Sequence, residues 1–147
     1  MDRDALYREV GEALHLAQTL EFNISTLITI MNRHYQAAIE PAPLVVGEDK
    51  RTLGQLIREV QRRASLDQVG ADALAEALDA RNYVAHQFFI RNISAFSDEE
   101  ICREAIESLK ARAKQIAIGA AISSAFVQGF CEALKIEQSD VLIRQDI

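Results

Sequence analysis

Residues 4–31 read DALYREVGEALHLAQTLEFNISTLITIM, and their apolar positions decide the fold class. Leu6, Val10, Ala13, Ala17, Leu20, Ile24, Leu27 and Met31 recur at alternating steps of four and three. That spacing puts all of them on one stripe of an α-helix, as in a helix packed lengthwise against others. Strict alternation, the mark of a half-buried strand, is missing. The pattern predicts a first helix over residues 4–38, stopped by the two prolines of 40–43. Residues 44–51 read as a loop, extended around 44–46.

The same reading continues along the chain. Thr52 with Gln55 makes a capping box ahead of Leu53, Leu56, Ile57 and Val60, predicting a second helix. Ser65 with Gln68 repeats the signal for a third helix, which carries Leu74 onward to about Ile90. Ser97 with Glu100 opens a fourth, whose seam is Cys102, Ala105, Leu109, Ala113, Ile116, Ala120, Ser123, Val127, Phe130 and Leu134. Residues 1–136 form one helical domain, and 137–147 a polar C-terminal tail or short helical extension. The architecture expected is an all-α four-helix bundle with long first and last helices. Two helices about 50 Å long, at ~1.5 Å per residue, outrun the two shorter ones. Part of a long seam is therefore expected against a second subunit.

Composition sets bounds on function. The 147 residues are 49% apolar and 26% charged, with a net charge of -6. This is ordinary globular composition, and the acidic balance argues against general coating of nucleic acid, though not against a local basic cleft. Two cysteines, Cys102 and Cys131, are too few and too far apart for a disulfide framework or a zinc motif. They fit plain core residues in a reducing cytoplasm. The opening Met1-Asp2-Arg3-Asp4 has no apolar core behind it and does not read as a signal peptide. Residues 115–131 carry no charge but include Gln115, Ser123, Ser124 and Gln128, so a buried bundle helix is the reading preferred to a membrane span. No membrane partner is expected.

The chemistry-bearing element is Arg81-Asn82-Tyr83-Val84-Ala85-His86. Arg81 falls on the apolar stripe Leu74, Leu78, Arg81, Ala85, Phe88. A permanent charge on a buried stripe needs a partner. Two readings follow: an interhelical salt bridge, or an anion site with an imidazole beside it. Asn82 and His86 stand four apart and face each other on a helix, so the amide can orient the ring. Phe89 would wall the same face. Arg81 and His86, five apart, lie about 140° apart around the axis at ~100° per residue. Imidazole can move a proton at a ribose hydroxyl or a leaving oxygen, and guanidinium can hold a phosphate. No metal-ligand spacing, glycine-rich phosphate loop or nucleophile elbow is present, so neither metal nor cofactor is expected.

Glu21 is a second buried-stripe charge, on Leu14, Glu21, Ile28, Tyr35. It needs a cation, and Arg81 or a protonated His86 is the natural one across the bundle. Lys50, Arg51, Arg58, Arg62 and Arg63 add a basic run that would widen a local RNA track, although a solvated face is the commoner role for such a run. Tyr83 can stack on a base or simply pack. His15 and His34 read as surface residues.

The Arg81–His86 element resembles the Arg-x4-6-His signature of the HEPN superfamily, including the polar residue directly after the arginine. Its position late in the third main helix of a four-helix bundle also resembles that family. The resemblance implies an all-α homodimer with its cleft at the subunit interface. It implies metal-independent RNase activity in a toxin–antitoxin or antiphage system, with RNA as substrate and a cognate antitoxin protein as partner. Carried over by position, Arg81 and His86 are the catalytic candidates, with Asn82 supporting. One subgroup has a tyrosine two residues after the histidine, which a nucleotidyltransferase antitoxin modifies; this chain has Phe88 there. The alternative is a non-catalytic helical dimer that binds nucleotide, RNA or a protein partner.

Overall fold

A computed structural model describes residues 2–39 and 49–143. Among them every regular element is helical: α1 (Arg3–Tyr35), α2 (Asp49–Arg63), α3 (Gln68–His86), α4 (Phe88–Arg91), a 3-10 turn (Ile93–Phe96), α5 (Glu99–Leu134) and α6 (Gln138–Ile143). The prolines of 40–43 and the extended stretch expected at 44–46 lie outside the described residues.

All eight positions of the first seam are buried, as are Cys102, Ala105, Leu109, Ile116, Ala120, Ser123, Val127 and Phe130 of the last. These two stripes face each other. Arg3 of α1 donates to the carbonyl of Phe96 just before α5, and Tyr35 at the far end of α1 meets Phe130 edge-on at 5.7 Å. The two long helices thus run parallel. α3 runs antiparallel to both: its Ala77 meets α5 at Gly119, and its later Tyr83 meets the earlier Arg112. The central unit is α1, α3 and α5, with α2 against the C-terminal end of α1, where Arg63 lies over the Tyr35 ring at 4.7 Å. α6 returns Val141 to the core, 3% exposed.

Several helix ends differ from the sequence expectation, each for a local reason. α1 stops at Tyr35, three residues early, because Gln36 turns left-handed (φ 57°) and Asn32 clamps Ile39 through two hydrogen bonds of 2.7 and 2.9 Å. α2 begins at Asp49, not Thr52, whose side chain is buried. Aspartates take the capping roles assigned to serines: Asp67 accepts from Gly70 N at 2.8 Å, and Asp98 from Ile101 N at 3.0 Å. The third helix ends at His86 instead of near Ile90. Fully buried Phe88 pulls the chain inward, and Asn92 donates to the Phe88 carbonyl at 2.8 Å, closing α4 as a separate turn.

Gly119 fixes how closely α3 and α5 approach. A Cβ at that position would stand 2.3 Å from the Ala77 Cβ. The absence of a side chain at Gly119 is what lets Ala77 come this close. α5 also contains a stretch of mean hydropathy 1.4 that is long and apolar enough to cross a membrane by length and composition, and 39% of it is buried here. The buried part is the stripe that packs on α1 and α3.

Candidate functional site

The close crossing at Ala77 sets the position of Arg81, one turn further along α3. Ala77, Leu78, Ala80 and Val84 are all buried around it, so its backbone is held against both long helices. Arg81 is itself buried, 7% exposed. Its Nη2 meets Glu21 Oε2 at 2.9 Å, and its Nη1 donates to Asn82 Oδ1 at 2.7 Å. The carboxylate and the guanidinium that the sequence placed on apolar stripes are thus each other's partner across α1 and α3. The carboxylate side chain keeps 40% of its surface, so the pair opens to solvent on the Glu21 side. Two further bonds steady its frame: Asn23 donates to the Ala120 carbonyl at 3.1 Å, and Ser123 to the same oxygen at 3.1 Å.

His86 is the last residue of α3 and is exposed. Ala85, placed on the buried stripe by spacing, is also exposed, and Val84 fills that side instead. The helix drifts from a strict heptad, and the turn at Gln87 removes what would have covered Ala85. Asn82 directs its amide oxygen to Arg81.

On the other face of α3, Tyr83 is half-buried in a ring sequence that runs out to the surface. It meets Phe88 edge-on at 6.4 Å, Phe88 meets Phe89 at 5.3 Å, Phe89 stacks on Phe96 at 5.9 Å, and Phe96 meets Tyr7 at 5.7 Å. Phe89 is 45% exposed and Tyr7 55%. Phe88, where one HEPN subgroup has its modified tyrosine, is 1% exposed and lies inside.

The chain matches no family model, no curated protein and no solved structure.

The basic run of α2 is not gathered to this site. Arg63 rests on Tyr35, fourteen residues along α1 from Glu21, about 21 Å at ~1.5 Å per residue. Arg62 and Arg63 both pair with Glu59, and Arg58 is exposed. His15 and His34 are exposed, and both cysteines are buried and unpaired. Among the described residues no group of three or more His, Cys, Asp or Glu side chains could hold a metal.

Two residues around Tyr83 escaped sequence reasoning. Arg112 of α5 lies over the Tyr83 ring at 3.5 Å, and Asn92 donates to the Tyr83 hydroxyl at 2.9 Å. A signal for the first existed. Arg112 stands three after Leu109 and four before Ile116, which are both fully buried, so it occupies the edge of the α5 seam as Arg81 occupies that of α3.

Proposed function

We propose that this chain is a metal-independent endoribonuclease of the HEPN type, acting in the cytoplasm as a toxin or antiphage effector. The observation that carries the reading is a guanidinium fixed by Glu21 and Asn82, with an exposed imidazole five residues further along the same helix. His86 takes the proton from a ribose 2′-hydroxyl, or gives one to the departing 5′-oxygen. The 2′-oxygen forms its bond to phosphorus as the bond to the 5′-oxygen breaks. The products are a 2′,3′-cyclic phosphate and a 5′-hydroxyl end. Arg81 supplies positive charge where the phosphoryl oxygens gain negative charge. Glu21 and Asn82 hold that guanidinium in one orientation, so little reorganisation accompanies the reaction.

The reading includes a homodimer. One copy presents Arg81 and His86 on different sides of α3, and a second copy facing it would supply an acid and a base to one phosphodiester. The long helices of a four-helix unit would share that interface. A cognate antitoxin would keep such an enzyme silent in its host.

A second reading has one observation in its favour: Arg81 is already engaged by Glu21 and Asn82. The chain would then be a non-catalytic helical dimer binding nucleotide, RNA or a protein partner. One experiment separates the two. Purified protein and its His86→Ala variant are incubated with total RNA in EDTA. Cleavage by the parent alone supports the ribonuclease; cleavage by neither, with both folded, removes it in favour of the binding domain.

A further inference from the structure

We propose that Arg112 and the Tyr83 hydroxyl form a phosphate-binding site on the side of α3 that faces away from Glu21. This deepens the ribonuclease reading and rests on it for the source of the phosphate.

Arg112 is a cation that no carboxylate meets among the described residues. It is partly buried, and its Nε is shut off from solvent without an acceptor. A guanidinium withdrawn from water in this way is costly unless something meets its N–H groups. Its face is accounted for by the Tyr83 ring, 3.5 Å away. Stacking by the face leaves the terminal Nη N–H groups, which unlike Nε are not shut off from solvent, for a ligand, and they match the oxygens of a phosphate.

The Tyr83 hydroxyl points the same way chemically. Asn92 Nδ2 donates to it at 2.9 Å and to the Phe88 carbonyl at 2.8 Å. A carbonyl can only accept, so the group facing it is the amide nitrogen, and the orientation of Asn92 is fixed. The phenolic oxygen therefore receives a hydrogen bond, and its own proton is free to be donated. Among the described residues nothing accepts it. Two unclaimed donors, one of them charged, thus belong to a stacked pair of side chains, and among the described residues no carboxylate pairs with either.

The position suits the chemistry. Tyr83 and His86 are three apart on α3, so their side chains are neighbours. A phosphodiester on Arg112 and Tyr83 would lie beside the exposed imidazole. Arg81, tied to Glu21, faces the opposite side. Arg112 stacks on Tyr83, the neighbour of His86 on α3.

The test uses the intact protein labelled with 15N-arginine. The Arg112 Nε–Hε resonance is assigned by its loss in Arg112→Lys. It is then followed on adding inorganic phosphate, and separately a short single-stranded RNA with 2′-O-methyl groups, which cannot be cleaved. The expected result is a saturable shift with both. Tyr83→Phe, which keeps the ring and the stack, should weaken RNA binding about tenfold. Arg112→Gln should lower the dependence of log K on log salt by about 0.7, the increment for one phosphate contact on a single strand. A shift with phosphate but not RNA leaves the anion site standing and counts against the ribonuclease. No shift with either overturns the site, even if RNA is cleaved through His86.

Discussion

Gly119→Ala is the sharpest test of how this fold is assembled. The added Cβ would stand 2.3 Å from the Ala77 Cβ and 3.5 Å from Leu20 Cδ1. The leucine can turn aside; the alanine cannot, because its Cβ is fixed to the backbone of α3. Restoring an ordinary carbon contact near ~3.8 Å requires the helices to part by about 1.5 Å. Overpacking of this kind costs about 1–3 kcal/mol, and with two immovable atoms the upper end applies. Against it stands the gain from replacing glycine by alanine inside a helix, about 1 kcal/mol. The net expectation is a loss of about 2 kcal/mol, or a fall in Tm of ~4–8 °C for a chain of this length. Urea melts of the parent, of each single variant and of Gly119→Ala with Ala77→Gly measure it. Alone, Ala77→Gly should cost about 1 kcal/mol from propensity. Together the two changes merely exchange partners across the crossing, so the double variant should melt near the parent, with a coupling of about 2–3 kcal/mol. If Gly119→Ala is instead more stable than the parent, helix propensity alone governs the site. The helices then do not touch there, and the placement of Arg81 one turn away loses its basis.

Two other outcomes follow from particular side chains. Glu21→Gln should destabilise the fold by about 1 kcal/mol, because it removes the carboxylate charge that meets the buried Arg81 at 2.9 Å while retaining an acceptor; the partial exposure of Glu21 keeps the figure low, and a urea midpoint equal to the parent's would show that the pair carries no stability. Burial, and secondarily the Glu137 carboxylate, push the Cys131 thiol above its ordinary 9.0. The fold favours the neutral thiol, so this contribution is fully present below pH 9.0 and is lost as pH rises through the folded-state value. Between pH 8 and about 10.5 Cys131→Ala should lose less stability than the parent, and equal losses would refute the assignment.

Periodicity made the long helices legible, and it did so because burial enforces it. Each apolar position of the first seam is covered, from Leu6 to Met31. Helix ends were harder to read, since Ser65 and Asp67 both lie where a cap is needed, as do Ser97 and Asp98. The aspartates win, and a carboxylate at a helix N-terminus gains from the dipole as well as from its hydrogen bond. The crossing at Gly119 could not be read at all. In sequence Gly119 looks like Gly129 ten residues on, yet a Cβ at Gly129 would meet nothing within 4 Å. Only the register of α3 against α5 tells them apart.

The candidate site was legible to the extent that a charge on an apolar stripe declares a need. Arg81 and Glu21 both did so, and each meets the other's need at 2.9 Å. Arg112 made the same declaration less audibly, between Lys110 and Lys114, where one more cation is unremarkable by composition. What no spacing rule conveys is whether the partner belongs to the chain. A stripe charge answered from within, as Arg81 is, supports the fold first and chemistry second. A stripe charge that no carboxylate among the described residues meets, as with Arg112, has its desolvation offset only in part, by the face of Tyr83. That cost becomes an advantage only when an anion arrives. If the proposed phosphate site holds, one arginine whose role depends on a ligand is one that the motif did not contain.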